Sequence, residues 1–159
     1  MDNVMIKRCA PGDDEHRENL VNYLSDERKL AMGGNGVDYH DPDAVIMQMQ
    51  TVTDYFDKSH RCPAVQLIVA FDEKVKDADT AVGYIKEIAE RLPDEYQSLY
   101  CVHEKDAEYN SYHGHILINP VSTKDGRQFD TSCKNVNHFC DEITEVTGNE
   151  NQLIFKRNR

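Results

Sequence analysis

The chain has 159 residues, of which 39% are hydrophobic and 30% are charged, and its formal net charge is −11. This length allows one domain with a sizeable core, and the composition is that of a folded protein rather than a disordered one. The acidity argues against a protein that binds duplex DNA through clustered lysines and arginines. It does not argue against a metal site, because there the ion itself supplies positive charge.

The cellular setting follows from the apolar segments and the cysteines. No segment approaches the ~20 apolar residues needed to cross a membrane, and the N-terminus has no apolar signal-peptide core. The five cysteines are an odd number and form no C-x-x-C pair, which is typical of free thiols in a reducing compartment. The sequence therefore predicts a cytoplasmic protein with no membrane partner.

In the first half of the chain, short apolar runs alternate with turn signals. Residues 3–9 predict a strand, and a helix follows it, capped by one of the two aspartates at 13–14. The glycine-rich run 31–43 predicts a loop, which is long for a compact domain and therefore a candidate for function. A second helix is predicted to begin after the Asp-Pro pair at 41–42.

The second half of the chain contains most of the strand-forming runs. Three strands are predicted, at 63–72, 98–104 and 112–121, and the last two are expected to be antiparallel neighbours because their connection is short. Around them, the sequence predicts a helix over 76–95 ended by Pro93, a turn and strand remnant at 125–132, and a helix over 133–148 closed by Gly148. The order β-α-α-β-α-β-β-α indicates an α+β fold with a largely antiparallel sheet covered by helices.

Two histidines one residue apart lie on a predicted strand in the segment "YHGHILIN" (112–119). Side chains alternate along a strand, so His113 and His115 share one face and Gly114 points to the other. His103 lies on the preceding predicted strand, where Cys101 shares its face as a further candidate ligand. Three imidazoles suit a divalent transition metal and leave coordination positions open for a substrate.

The histidine pattern alone leaves several functions open. A pair of histidines on a strand can also be a solvated face or part of a core. Three histidines could equally hold the zinc ion of a hydrolase that activates water.

Three segments in chain order resemble the motifs of conjugative and mobilisation relaxases of the HUH endonuclease type, MobP-like members included. "RENLVNYLSDERK" resembles the first motif, in which an apolar helix carries a tyrosine before Leu-Ser. "AVQLIVAFDEKV" resembles the second motif, an apolar strand ending in Phe and an acidic turn. "VHEKDAEYNSYHGHILIN" resembles the third, an upstream histidine followed by H-x-H and an apolar run ending in Asn. The likeness spans about residues 4–150.

This resemblance implies a central five-stranded, largely antiparallel sheet with helices packed on it. It implies Tyr23 as the nucleophile and His103, His113 and His115 as ligands of a divalent metal, Mg²⁺ or Mn²⁺ first and Zn²⁺ as an alternative. The activity implied is nicking and strand transfer of single-stranded DNA at an origin of transfer, through a 5′-phosphotyrosyl intermediate. Accessory relaxosome proteins are the expected partners.

Further residues are candidates for supporting roles. For contacts to DNA, or for hydrogen bonds behind the metal ligands, the candidates are Asn119, Arg28, Lys29 and Arg127. For the general base or an extra ligand, the candidates are Glu104, Asp106 and Glu108.

The sequence departs from the family pattern at two positions and in the loop between His103 and His113, which is about two residues longer than the pattern and contains the candidate bases. Gly114 stands where the family has a hydrophobic residue between the histidines, and because it faces away from the site we expect the position to be free to vary. Ala70 stands where a serine that contacts DNA is common. Ala70 and the net negative charge leave open the alternative of a relaxase-like interaction module without activity. The three-histidine metallohydrolase is the other alternative.

The domain organisation also follows from the resemblance. It implies one relaxase-like catalytic domain over residues 1–159. Family members usually continue into further domains, so the chain is also compatible with a piece of a longer protein.

Overall fold

The computed structural model describes residues 1–26, 29–103 and 111–154. The helices in these ranges are α1 (Asp14–Leu24), α2 (Pro42–Tyr55), α3 (Ala78–Glu90) and α4 (Cys133–Thr147). The strands are β1 (Asp2–Arg8), β2 (Lys29–Asn35), β3 (Val65–Ala70), β4 (Ser98–His103), β5 (His113–Ile118) and β6 (Asn151–Leu153). Among the helices of the described ranges, none is both long and apolar enough to cross a lipid bilayer.

The six strands form one sheet in the order β2-β4-β5-β3-β1-β6. Every neighbouring pair is antiparallel except β1 and β6, which are parallel. The prediction of an α+β fold with a largely antiparallel sheet is confirmed, but the sheet has six strands rather than five. The two unpredicted strands, β2 and β6, lie at the edges of the sheet and carry little β-forming signal in their sequences, KLAMGGN and NQL.

The glycine-rich run was expected to be a loop, and this prediction is wrong for its first residues, which continue β2 as far as Asn35. The ring of Tyr100, directly opposite on β4, explains why glycine is accepted there. A methyl group at Gly33 would lie 2.2 Å from this ring, so the ring covers the glycine. The strand remnant expected at 125–132 reduces to a single bridge between Val121 and Gln128.

The helices begin and end near the predicted boundaries, and the structure confirms the predicted caps at Asp13 and Gly148, while Asp41 is a cap that was not predicted. The carboxylate of Asp13 accepts a hydrogen bond from the His16 backbone N–H at 3.1 Å, and Asp41 accepts one from the Asp43 backbone N–H at 3.1 Å. Gly148 ends α4 with a φ of 71°, the left-handed conformation that glycine adopts most easily. Helix α3 ends at Glu90, shortly before Pro93.

The sheet has helices on both faces. On the face we call the α1/α2 face, Val21 of α1 and Met49 of α2 pack with Leu99 and Leu117 of the central strands. On the opposite face, the α3/α4 face, the apolar cluster joins Ile85 and Ile88 of α3 and Ile143 of α4 to alternate residues of the same strands, Val102, Ile116 and Ile118. The central strands β4 and β5 are therefore buried on both sides.

Candidate active site

The pairing of β4 with β5 places the histidines together. In this antiparallel register His103 is opposite His113, and Cys101 is opposite His115. Opposite residues share a face, so these four side chains all point to the α1/α2 face. The ring centroids of His103 and His115 are 4.7 Å apart. The side-chain alternation predicted for the H-x-H segment is present.

Tyr23 lies over two of these histidines. It belongs to the last turn of α1, and its ring meets His103 and His115 edge-on, with centroid distances of 5.0 Å and 5.7 Å. The flanking residues Val21 and Leu24 are fully buried, whereas Tyr23 is 40% exposed. Helix α1 therefore holds the tyrosine at the surface, directly beside the rings.

Each histidine has a polar neighbour. The amide nitrogen of Gln66 lies 3.3 Å from Nδ1 of His115, and the hydroxyl of Ser111 lies 3.4 Å from Nε2 of His113. A carboxylate oxygen of Asp26 lies 3.8 Å from Nε2 of His103. His103 and His115 are only 4% and 5% exposed, whereas His113 is half-buried.

A buried arginine fixes helix α1 against its surroundings. Arg17 donates hydrogen bonds to the Thr53 hydroxyl at 3.4 Å and to the Pro63 carbonyl at 3.2 Å, and it also contacts Gln50. Burial lowers the pKa of Arg17, and the nearby carboxylate of Asp14 opposes this shift. These contacts join α1 to α2 and to the segment before β3, and so set the position of the helix that carries Tyr23.

The other predicted residues are placed differently. Asn119 is fully buried at the far end of β5, where its amide donates to the Met49 carbonyl at 3.2 Å and to Gln97 at 2.9 Å. It therefore supports the strand end, as a buried residue whose amide hydrogens are both used within the protein. Lys29 is exposed and lies directly opposite His103 in the antiparallel register of β2 and β4. Arg127 is exposed in the segment after β5, and it lines a cavity on the α3/α4 face with Ile118, away from the histidines.

Four of the predicted residues lie outside the described ranges. These are Arg28, Glu104, Asp106 and Glu108.

The histidines have the right chemistry for a divalent metal, since three imidazoles from neighbouring strands face the same side of the sheet. However, within residues 1–26, 29–103 and 111–154 no group of three or more His, Cys, Asp or Glu side chains is arranged to hold a metal ion. The residues that would hold one are His103, His113 and His115, and their rings would have to turn toward a common point.

Gly114 does not behave as the sequence predicted. It faces the α3/α4 side, as expected, but a methyl group there would lie 2.5 Å from Cδ1 of the buried Ile85 and 3.3 Å from Phe71. The expectation that this position is free to vary is therefore wrong. A side chain there would face the α3/α4 core, where Ile85 and Phe71 would have to shift to admit it.

Three residues that contact the histidines or hold helix α1 in place were missed in the sequence. Gln66 is a polar residue within the apolar run VQLIVA, and Arg17 is a charge at an apolar position of its helix; both were available signals of a buried polar contact. Asp26 gave no signal, because its approach to His103 depends on the path of the chain after α1.

Comparisons with known proteins identify the family and the fold of the chain. A family model described as "Relaxase: MobA/VirD2-like, nuclease domain" matches residues 18–148. A solved structure described as the molecular basis of vancomycin resistance transfer in Staphylococcus aureus has the same fold. It superposes with a TM-score of 0.63 at 14% identity, covering 92% of this chain and 90% of the other. No curated protein matches the chain.

The family match covers most of the chain, including Tyr23 and all three histidines. Relaxase nuclease domains nick DNA in conjugative transfer and are generally metal-dependent. The chain belongs to the relaxase family, as a MobA/VirD2-like nuclease domain.

Proposed function

We propose that this protein is a metal-dependent endonuclease that nicks one DNA strand at an origin of transfer and later rejoins or transfers it. The observation that carries the proposal is the contact of Tyr23 with His103 and His115, at ring-centroid distances of 5.0 Å and 5.7 Å. These residues come from an N-terminal helix and two strands far along the chain. Their meeting combines a nucleophile with candidate metal ligands at a surface that a DNA strand can reach.

In the proposed reaction, the phenolic oxygen of Tyr23 attacks the scissile phosphorus and forms a 5′-phosphotyrosyl bond. The bond from phosphorus to the 3′-oxygen breaks, and that oxygen leaves with the electron pair and takes up a proton. The reverse attack by a free 3′-hydroxyl rejoins a strand and releases the tyrosine. The phosphodiester bond energy is conserved throughout, so strand transfer needs no further energy source.

The loss of the phenol proton requires help from the site. A phenol has a reference pKa near 10, so only about one in a thousand is ionised at neutral pH. Lowering such a pKa to 7 takes about 4 kcal/mol of differential stabilisation, unless the proton leaves during attack. Glu104, Asp106 and Glu108 stay candidate bases, and Asp26 joins them as the carboxylate nearest to His103 among those described.

His103, His113 and His115 are the proposed metal ligands. When bound, a divalent ion would neutralise the charge that develops on the attacked phosphate. Mn²⁺ and Mg²⁺ are proposed first and Zn²⁺ as an alternative. The histidine side chains orient the phosphate relative to Tyr23, and the half-exposed position of Tyr23 admits a single strand more readily than a closed pocket would.

The proposed substrate is single-stranded DNA at the origin of transfer of a mobile element, with accessory relaxosome proteins as partners. The family match supports this substrate, and so does the reported role of the structural neighbour in resistance transfer. The net charge of −11 favours recognition that depends on the metal and on accessory proteins rather than on a basic surface.

The test is covalent capture of DNA by Tyr23. The protein is incubated with Mn²⁺ and single-stranded oligonucleotides that tile the DNA flanking its gene, and the products are separated on denaturing gels. We expect a protein–DNA adduct that disappears in Tyr23→Phe. Tyr55→Phe is the matched control, because Tyr55 is 81% exposed on α2 and makes its ring contact with Phe56.

Two outcomes would contradict the proposal. An adduct that survives Tyr23→Phe would assign the nucleophile elsewhere. Cleavage that proceeds without any adduct, and equally well in Tyr23→Phe, would favour a three-histidine hydrolase that activates water.

A further inference from the structure

Gln66 is a buried polar residue in an otherwise apolar strand. It is 5% exposed, and its neighbours in β3 are Val65 and Leu67. Burying an amide without a hydrogen-bond partner is destabilising, because the group loses its hydrogen bonds to water. A partner is present, since the Gln66 amide nitrogen lies 3.3 Å from Nδ1 of His115.

The strand register explains how the two side chains meet. Ile68 of β3 is directly opposite His115, and Gln66 is opposite Leu117. Gln66 is therefore diagonal to His115 on the α1/α2 face, at a separation that a long side chain can span.

We propose that Gln66 is a positioning residue for the nicking reaction, which holds the His115 ring through Nδ1. This inference rests on the proposed function, in which His115 acts beside Tyr23. With Nδ1 held by Gln66, Nε2 is the ring nitrogen that serves a metal ion or the scissile phosphate. Gln66 itself touches neither the DNA nor Tyr23 in this role.

An amide suits this task better than a carboxylate or an apolar side chain. With its nitrogen toward the ring, Gln66 donates to Nδ1, and the neutral imidazole then carries its proton on Nε2. After a 180° turn of the amide, the oxygen accepts from Nδ1–H, and Nε2 then carries the lone pair that a metal needs. Glutamine can therefore follow His115 between its two tautomers, whereas leucine supports neither and glutamate only accepts.

A second buried glutamine supplies the matched control. Gln97 is also 5% exposed, but its amide nitrogen donates to the carbonyls of Gly36 and Gln48, at 3.2 Å and 3.3 Å. It therefore ties backbone segments together at the end of the sheet away from the histidines. Its loss removes a buried amide without touching His115.

The experiment compares Gln66→Leu, Gln66→Glu and Gln97→Leu with the wild type. Long-range ¹H–¹⁵N NMR of the metal-free proteins reads the His115 tautomer from its ring nitrogens. Titration with Mn²⁺ then gives the affinity of each folded protein for this metal.

We expect Gln66→Leu to shift the His115 ring signals and to weaken Mn²⁺ binding about 10- to 100-fold. Gln66→Glu should move the proton of His115 to Nδ1 and keep Mn²⁺ affinity within about threefold of the wild type. Gln97→Leu should leave the His115 ring signals in place, even where it lowers the melting temperature.

The inference is overturned if Gln66→Leu leaves the His115 ring signals and the Mn²⁺ affinity unchanged. It is equally overturned if Gln66→Glu loses as much affinity as Gln66→Leu, because the role would then be one of packing. Failure of the proposed function would appear in a different experiment, as the absence of a Tyr23 adduct in the wild type. The NMR comparison of the metal-free proteins does not depend on that result.

Discussion

The two faces of the central strands carry different tasks, although they are built from alternate residues of the same segments. On the α3/α4 face, Gly114 and Ile116 of β5 lie against an apolar layer that includes Ile85. On the α1/α2 face, His115 lies against the ring of Tyr23, and His113 and His115 each have a polar neighbour. Buried polar groups contribute less to stability than apolar ones, so at the start of β5 the apolar face stabilises the fold more than the face with the histidines. Further along the strand both faces are apolar, since Leu117 is buried in the cluster of the α1/α2 face.

The sharpest way to break this comparison uses two adjacent residues that point to opposite faces. We expect His115→Ala to reduce adduct formation at least about 100-fold, because a proposed metal ligand is lost. It should also lower the free energy of unfolding by about 1–3 kcal/mol, because the buried amide of Gln66 loses its partner. Ile116→Ala, on the other face, should lower the free energy of unfolding by about 2–5 kcal/mol. The adduct yield per folded molecule should stay close to that of the wild type.

Urea unfolding and denaturing gels on the same samples measure both quantities. If Ile116→Ala lost adduct formation in its folded fraction as completely as His115→Ala, the division of tasks between the faces would be wrong.

The next effect concerns the edge of the sheet, where Gly33 lies under the ring of Tyr100. A methyl group at 2.2 Å from ring atoms cannot be accommodated unless Tyr100 moves, so Gly33→Ala should lower the unfolding free energy by about 2–3 kcal/mol. Gly83→Ala is the matched control, because nothing lies within 4 Å of its added methyl in helix α3. Because alanine has a higher helix propensity than glycine, Gly83→Ala should raise the free energy of unfolding by about 0.8–1 kcal/mol.

Thermal and urea unfolding of the two alanine variants test this pair. Equal losses in both variants would mean that the Tyr100 ring does not decide whether a side chain fits at the edge strand.

The central elements and the candidate site could be predicted from the sequence because their signals are local. The apolar run of β3 and the capping residues Asp13 and Asp41 are visible without any tertiary information. The alternation of His113 and His115 followed from strand geometry alone. Tyr23 was assigned by its motif, and its position above the histidines stays the basis of a proposal rather than an established role.

The remaining features depend on contacts between distant segments, which no local pattern encodes. Strand β2 forms because it pairs with β4 and because the Tyr100 ring covers Gly33, although the sequence of this run is typical of a loop. The approach of Gln66 to His115 requires the register between β3 and β5. The burial of Asn119 likewise depends on α2 and on Gln97, and this explains why a residue that seemed a candidate for DNA contact instead holds the strand end.

The smallest predicted effect concerns Gly114, the residue between the two histidines. It tests at a single position whether the two faces of β5 are independent. Gly114→Ala places a methyl group 2.5 Å from Cδ1 of Ile85, so overpacking should outweigh the gain from a less flexible chain and lower stability by about 1 kcal/mol. Ile85→Val removes that Cδ1 and alone should cost about 0.5–1.5 kcal/mol. In the Ile85→Val background, Gly114→Ala should cost less, because the contact at 2.5 Å is gone while those to Cγ1 of residue 85 at 3.0 Å and to Phe71 at 3.3 Å remain. A double-mutant cycle should then give a coupling free energy of about 0.5 kcal/mol.

Adduct formation by Tyr23 should be unchanged in all three variants, because the added methyl points away from the histidines. If Gly114→Ala costs the same in both backgrounds, Ile85 does not explain the glycine. If it instead weakens adduct formation while stability holds, the backbone of β5 transmits the change to His113 and His115, and the two faces are not independent at this position. If the coupling is found, Ile85 accounts for the absence of the hydrophobic residue that the family pattern places between the histidines, on the face of the sheet opposite to them.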